Sequence, residues 1–554
     1  MASLQKGFII SNNAVIPKNF DAPRASKITS TGEDFTEGDL YITIAEPKHV
    51  ELLAKHVLAR PEWHRRIRRL YLRMEEPDSE EEGEEEDEYG GEDAGMESQA
   101  AERLDEDGKS VGSLASKNSD EQPEPGASNV PEIADDRTSQ LCSHITQILD
   151  AIENAGGSLE EFAWDQQTWW GSEGTRPPAF WTALWKHART LQTLILGFYT
   201  HEVHQVAPPQ VHFPALRVLR IDCTTAHGDK GDAVEALLKS SPGLEMLEFE
   251  YPGCDLDTCQ IQNITWDYNF PSLRELSVRG YDFNAEAFAG FLTRNENIEV
   301  LKDAIDGYGN DDWDKKAELP THALPKLKKL YVSGMSPNRS LGGWFNEEAS
   351  RPIAHLALDG WGAARFEEIK RGKGTLKCLE FHRGGTDWRP REIDSSDKGE
   401  DAAGDDAKVK KAAEKELNFL PKAVKELLPE LAELKELGVS LEMGHISISN
   451  GHGGWCTPDP MNVDDLKTII SILPPHTQIR ALRLWDDRAE NLPGDVLNDF
   501  LSVPESLEYL GWEGKEKLLY RLERVGGKIR AVECEPLRVR ATEGAWSEGR
   551  ILDY

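Results

Sequence analysis

Residues Phe213–Asp222 read FPALRVLRID. Leu216, Leu219 and Ile221 stand at offsets of zero, three and five, and the chain then turns polar. A half-buried strand alternates strictly, and an amphipathic helix repeats every three or four residues; this spacing does neither. The same hexamer, Leu-x-x-Leu-x-apolar, recurs. It appears as IRRLYL from Ile67, LEEFAW from Leu159, LQTLIL from Leu191, LRVLRI from Leu216, LEMLEF from Leu244, LRELSV from Leu273 and IEVLKD from Ile298. It continues as LKKLYV from Leu327, IAHLAL from Ile353, LKCLEF from Leu376, LKELGV from Leu434, IRALRL from Ile479, LEYLGW from Leu507 and a weaker IRAVEC from Ile529.

Between Leu191 and Leu376 successive starts lie 25, 28, 29, 25, 29, 26 and 23 residues apart. That matches the period of about 20–29 residues typical of leucine-rich repeats. In such a unit the first apolar residue enters the core from the bend before a short strand. The second and third lie two apart on that strand and so point the same way. One unit cannot bury its apolar side, but stacked neighbours can. The segments GDAVEALLKSSPG, NAEAFAGFLTRNEN, VDDLKTIISILPPH and GDVLNDFLSVPES carry apolar residues at helical spacing, with Asp or Asn near their starts. The sequence therefore predicts an α/β, leucine-rich-repeat-like solenoid, with parallel strands on the concave face and helices on the convex face. A doubly wound α/β domain also alternates strands and helices, but its strands favour continuous apolar runs over a fixed hexamer.

The chain has 554 residues, 38% of them hydrophobic and 29% charged, with a formal net charge of -36. Residues 75–137 hold 24 acidic and four basic residues, a net of -20, so more than half of the excess lies in one segment. No basic stripe suited to phosphate contacts is visible, which argues against nucleic acid as a partner. No run approaches the roughly 18 apolar residues of a membrane span. Seven cysteines are scattered without a disulfide framework. The expected setting is a reducing one, cytoplasmic or nuclear.

The predicted organisation has six parts. Residues 1–39 form an N-terminal extension, in part disordered, and 40–74 a first repeat-like cap unit. Residues 75–137 are an acidic segment too poor in apolar residues to fold. The main repeats occupy 138–385, a polar insert 386–415, and the C-terminal repeats and cap 416–554.

Residues Leu40–Met74, LYITIAEPKHVELLAKHVLARPEWHRRIRRLYLRM, resemble the segment that follows the F-box in fungal F-box/leucine-rich-repeat proteins. There a strand and a helix precede an Arg-Pro-Glu turn that leads into the first repeat. PPAFWTALWKHARTLQTLIL and LKSSPGLEMLEF are similar to repeats of that family. The resemblance implies a non-catalytic substrate receptor of a cullin-type ubiquitin ligase, in which the F-box binds the linker subunit and the repeats hold the substrate. Residues 1–39 hold no F-box pattern. A different reading of the charge is an acidic scaffold or chaperone for basic proteins such as histones.

The third and fifth hexamer positions should face the groove. The resulting candidate protein-binding residues are Arg220, Glu248, Glu275, Lys329, Tyr331, His355, Glu380, Arg483 and Tyr509, with Trp485 two further along its strand. Trp169 and Trp170 precede a helix that should bury Trp181 and Trp185, and are candidate interface aromatics. No phosphate loop, dinucleotide fingerprint or nucleophile elbow occurs. His445, His452 and Cys456 lack the spacing of a zinc motif. No catalytic, metal or cofactor residue is expected, and the chain is expected to act as a monomer.

Overall fold

In the computed structural model thirteen of the fourteen hexamers become adjacent strands held in one unbroken parallel register. The structure describes residues 8–11, 39–44, 50–73, 136–165, 176–199, 211–224, 232–250, 264–279, 285–302, 319–332, 344, 351–359, 366–382, 426–440, 446–447, 455–456, 460–473, 478–486, 488–492, 496–499, 503–515 and 517–534.

The strands are β1 (Phe8–Ser11), β2 (Leu40–Ile44), β3 (Ile67–Arg73), β4 (Glu161–Asp165), β5 (Thr193–Tyr199), β6 (Val218–Thr224), β7 (Met246–Glu250), β8 (Glu275–Arg279) and β9 (Val300–Lys302). They continue as β10 (Lys329–Val332), β11 (His355–Asp359), β12 (Cys378–His382), β13 (Glu436–Ser440), β14 (Ile446–Ser447), β15 (Trp455–Cys456), β16 (Ala481–Trp485), β17 (Tyr509–Glu513), β18 (Lys517–Val525) and β19 (Lys528–Cys534). Among the described residues all but β14 and β15 join one sheet of 17 strands. Pairing follows chain order, and it is parallel from β2 through β13 and on to β16 and β17. The fold is thus mixed α/β with an open, mostly parallel sheet. Antiparallel pairing is confined to its ends, β1 on β2 and β17–β18–β19.

The fourth hexamer position is one continuous row. Leu70, Phe162, Leu194, Leu219, Leu247, Leu276 and Leu301 pair in succession, followed by Leu330, Leu356, Leu379, Leu437, Leu482 and Leu510. Leu216, Leu219 and Ile221 are fully buried, which answers the spacing of the opening decapeptide. Backbone bonding extends the register into the bend: the Arg217 carbonyl accepts from the N–H groups of both Glu245 and Met246, at 2.8 and 2.9 Å, and equivalent bonds recur in later units.

The helices cover the apolar face. They are α1 (Val50–Leu58), α2 (Pro61–His64), α3 (Asp136–Asn154), α4 (Pro178–Trp185), α5 (Asp232–Lys239), α6 (Ala285–Arg294), α7 (Phe366–Arg371) and α8 (Val463–Ile472). Each long one buries residues at helical spacing, such as Ile145, Ile148, Leu149 and Ile152 of α3, or Leu466, Ile469 and Ile470 of α8. A reciprocal cap starts α8: the Asn462 side chain accepts from the Asp464 and Asp465 N–H groups, and the Asp465 carboxylate accepts from the Asn462 N–H. One hydrophobic core runs from Leu40 to Leu522.

Two expectations change. IRAVEC is not a further repeat but β19, antiparallel to β18. Gly526 and Gly527, with φ of 61° and 79°, reverse the chain in two residues and leave no room for a return leg. In GDVLNDFLSVPES only a short 3-10 turn, Val496–Asp499, forms among the described residues. The N-terminal extension contributes β1 to the sheet edge. The strands flanking the acidic segment and the polar insert pair directly, β3 with β4 and β12 with β13. Residues 74–135 and 383–425 themselves lie outside the described residues, as do Trp169, Trp170, His445 and His452. No helix among the described residues is long and apolar enough to cross a membrane.

Candidate functional site

Because strand side chains alternate, the sheet face away from the apolar core is built from the third and fifth hexamer positions. Register carries each position from strand to strand. The third-position row includes Glu275, Lys329, His355, Cys378, Glu436 and Tyr509; the fifth includes Arg220, Glu248, Lys302, Tyr331, Glu380 and Arg483. The structure therefore places nine of the predicted residues in two adjoining rows, with Trp485 at the end of its strand on the same side.

These rows are not a simple solvent-washed surface. Arg220, Glu248, Tyr331, His355, Glu380 and Arg483 are each at most 9% exposed, whereas Glu275, Lys329, Trp485 and Tyr509 are partly exposed. Burying a charge is costly unless it is paired, and pairs are found. Lys302 meets Glu275 at 2.7 Å. Arg483 Nη2 lies 2.5 Å from Glu380 Oε1, and His355 Nε2 is 2.9 Å from the same oxygen. Glu513 stands 3.8 Å from Arg483 on the outer side. The guanidinium also lies over the Trp485 ring, 5.0 Å from its centroid.

Gly438 makes the Arg483–Glu380 pair possible. Glu380 and Arg483 are separated by one intervening strand, so about 10 Å of sheet must be bridged. Gly438 sits between them in register and offers no side chain. A Cβ there would meet Glu380 Cγ and Trp485 Cζ3, both at 3.0 Å. Electrostatics favour the charged pair: burial opposes the Arg483 charge, but Glu380, Glu513 and Glu436 outweigh it and push its pKa above the ordinary value.

Cys378 and Glu380 share β12, and Cys378 is the register partner of His355. One ligand atom from each of His355, Cys378 and Glu380 falls within 4.8 Å of the others. The sheet face thus concentrates nitrogen, sulfur and oxygen donors at one point. At its other end the rows carry Tyr71, Ala163 and Ile195, which pack together as a small apolar cluster. Beside them the Tyr71 hydroxyl donates to Glu161 at 2.8 Å, and Arg69 pairs with Glu161.

Glu436, Lys302 and Gly438 were not singled out by the sequence reading, although IEVLKD and LKELGV place them at the same hexamer positions. Searches of the chain against protein-family models and against curated proteins find no match.

Proposed function

We propose that this chain is a leucine-rich-repeat-like solenoid that binds another protein on the strand-lined, concave side of its sheet. The observation that supports this most is the fourth-position row, which passes without a slip through thirteen strands that follow one another in chain order. A stack of that kind leaves one long sheet face for a partner. Among the candidate residues, Lys329, Trp485 and Tyr509 keep enough exposure to touch one. Aromatic residues beside charged ones suit a specific interface.

The more specific reading is the substrate-binding, non-catalytic subunit of a cullin-type ubiquitin ligase, on the strength of the resemblance of Leu40–Met74 to F-box/leucine-rich-repeat proteins. Its test is affinity purification of the intact chain from its own cells, with mass spectrometry, beside a Trp485→Ala/Tyr509→Ala variant. Recovery of the cullin linker subunit with both chains, plus a second protein lost from the variant, supports a substrate receptor. A second protein lost from the variant with no linker subunit supports a binding solenoid outside the ligase. Partners unchanged by the variant would sink the groove reading. The net charge of -20 in residues 75–137 favours a different reading, an acidic scaffold for basic proteins. Deleting that segment would then abolish binding.

A further inference from the structure

We infer that His355, Cys378 and Glu380 form a binding site for a divalent transition-metal ion of the zinc type. The placement follows from the sheet. Cys378 and Glu380 lie two apart on one strand and so share a face, and His355 is brought beside Cys378 by the parallel register of β11 and β12. His355 Nε2 is 2.9 Å from Glu380 Oε1, and Cys378 Sγ is 3.7 Å from it. A tetrahedral zinc ion, with bonds of about 2.0 Å to nitrogen and oxygen and about 2.3 Å to sulfur, separates its ligand atoms by roughly 3.5 Å. Two of the three edges are close to that value, and the third closes from within 4.8 Å by small side-chain rotations.

A further observation points to a cation. His355 is 1% exposed, yet neither of its ring nitrogens has a hydrogen-bond partner among the described residues, and its Nε2 is aimed at Glu380 Oε1. Glu380 is itself buried to within 1%, so a ligand atom of each kind converges in a water-poor site. Arg483, ion-paired with Glu380 Oε1, then helps to hold a ligating carboxylate in place, as outer partners of metal ligands commonly do. A thiolate, an imidazole and a carboxylate favour zinc or cobalt over calcium or magnesium, which take oxygen alone. Three protein ligands leave a fourth position open.

The test uses the full-length chain, stripped with a chelator and titrated with cobalt(II), then with zinc. The expected result is a thiolate-to-cobalt charge-transfer band with tetrahedral d–d absorption, bleached by about one equivalent of zinc. Cys378→Ser should abolish the charge-transfer band, His355→Ala should weaken cobalt binding at least about tenfold, and Cys534→Ser should change neither. Absence of the band from the unaltered chain, or its persistence in Cys378→Ser, overturns the site. Should Cys378→Ser fail to fold, X-ray absorption of the zinc-loaded unaltered chain decides. One sulfur among nitrogen and oxygen neighbours upholds the site, and a sulfur-free shell overturns it.

Discussion

The two ends of the same sheet face solve one packing problem in opposite ways. Around β3–β5 the fifth-position row presents Tyr71, Ala163 and Ile195, which shelter one another. Around β11–β16 the corresponding positions present Ala357, Glu380, Gly438 and Arg483, where long charged chains reach each other over small residues. The backbone ladder does not distinguish them, because register is set by the leucine row on the other face. The contrast teaches that the core hexamer fixes where a side chain stands, and the outward residues decide what the face can do. Apolar burial stabilises in proportion to area, about 25 cal/mol per Å². A buried ion pair gives little net stability but is costly to break.

The largest expected effect is therefore at the ionic end. Arg483→Met leaves Glu380 buried without its guanidinium and should cost about 3–5 kcal/mol in urea unfolding. Adding Glu380→Gln to that variant should recover most of the loss; additive costs would show that the two groups do not act as a pair. At the apolar end Ile195→Ala should cost about 2–3 kcal/mol, at the low end of the cavity range because the site lies at the sheet surface. Added salt should leave that loss unchanged, and a salt-dependent loss would remove the contrast. Smaller still is Gly438→Ala. Its Cβ would press on Glu380 Cγ and the Trp485 ring, at about 1–2 kcal/mol, measured as a lowered melting temperature.

How far the sequence revealed this molecule varies along the chain for physical reasons. Parallel strands and their register were legible because Leu216, Leu219 and Ile221 must all enter one core, and thirteen hexamers repeat that demand. Helix α3 was equally periodic, with Leu141, Ile145, Ile148, Leu149 and Ile152 on one face, but it follows the acidic run and carries no hexamer to flag it. The β18–β19 hairpin is hidden because IRAVEC mimics the repeat, although the Gly526–Gly527 pair just before it carries the signal of a two-residue turn. At the candidate site the outward positions were identifiable by counting, but their pairing was not. That His355, Glu380 and Arg483 converge depends on Gly438 being small and on which strand lies between, facts that only register supplies. Composition could not show that these charges are buried.

The smallest effect belongs to the second hexamer position, which tests whether the charged rows matter in general or only when buried. Arg480 and Glu508 face each other on adjacent units with two hydrogen bonds, Nε to Oε1 at 2.9 Å and Nη2 to Oε2 at 2.7 Å. Their side chains are 44% and 43% exposed, so water and salt screen the attraction. Arg480→Ala should cost less than about 1 kcal/mol, and less again at high ionic strength. The hydrogen bond from Arg480 holds the Glu508 carboxyl below its ordinary pKa. The sign follows from that lowering: the stabilisation is present above the ordinary carboxylate range and fades as pH falls through the lowered folded value. An Arg480→Ala loss as large as that of Arg483→Met would mean that burial is not what separates the rows. A loss that vanishes in acid, together with a large, salt-resistant one at Arg483, would place the difference in desolvation alone.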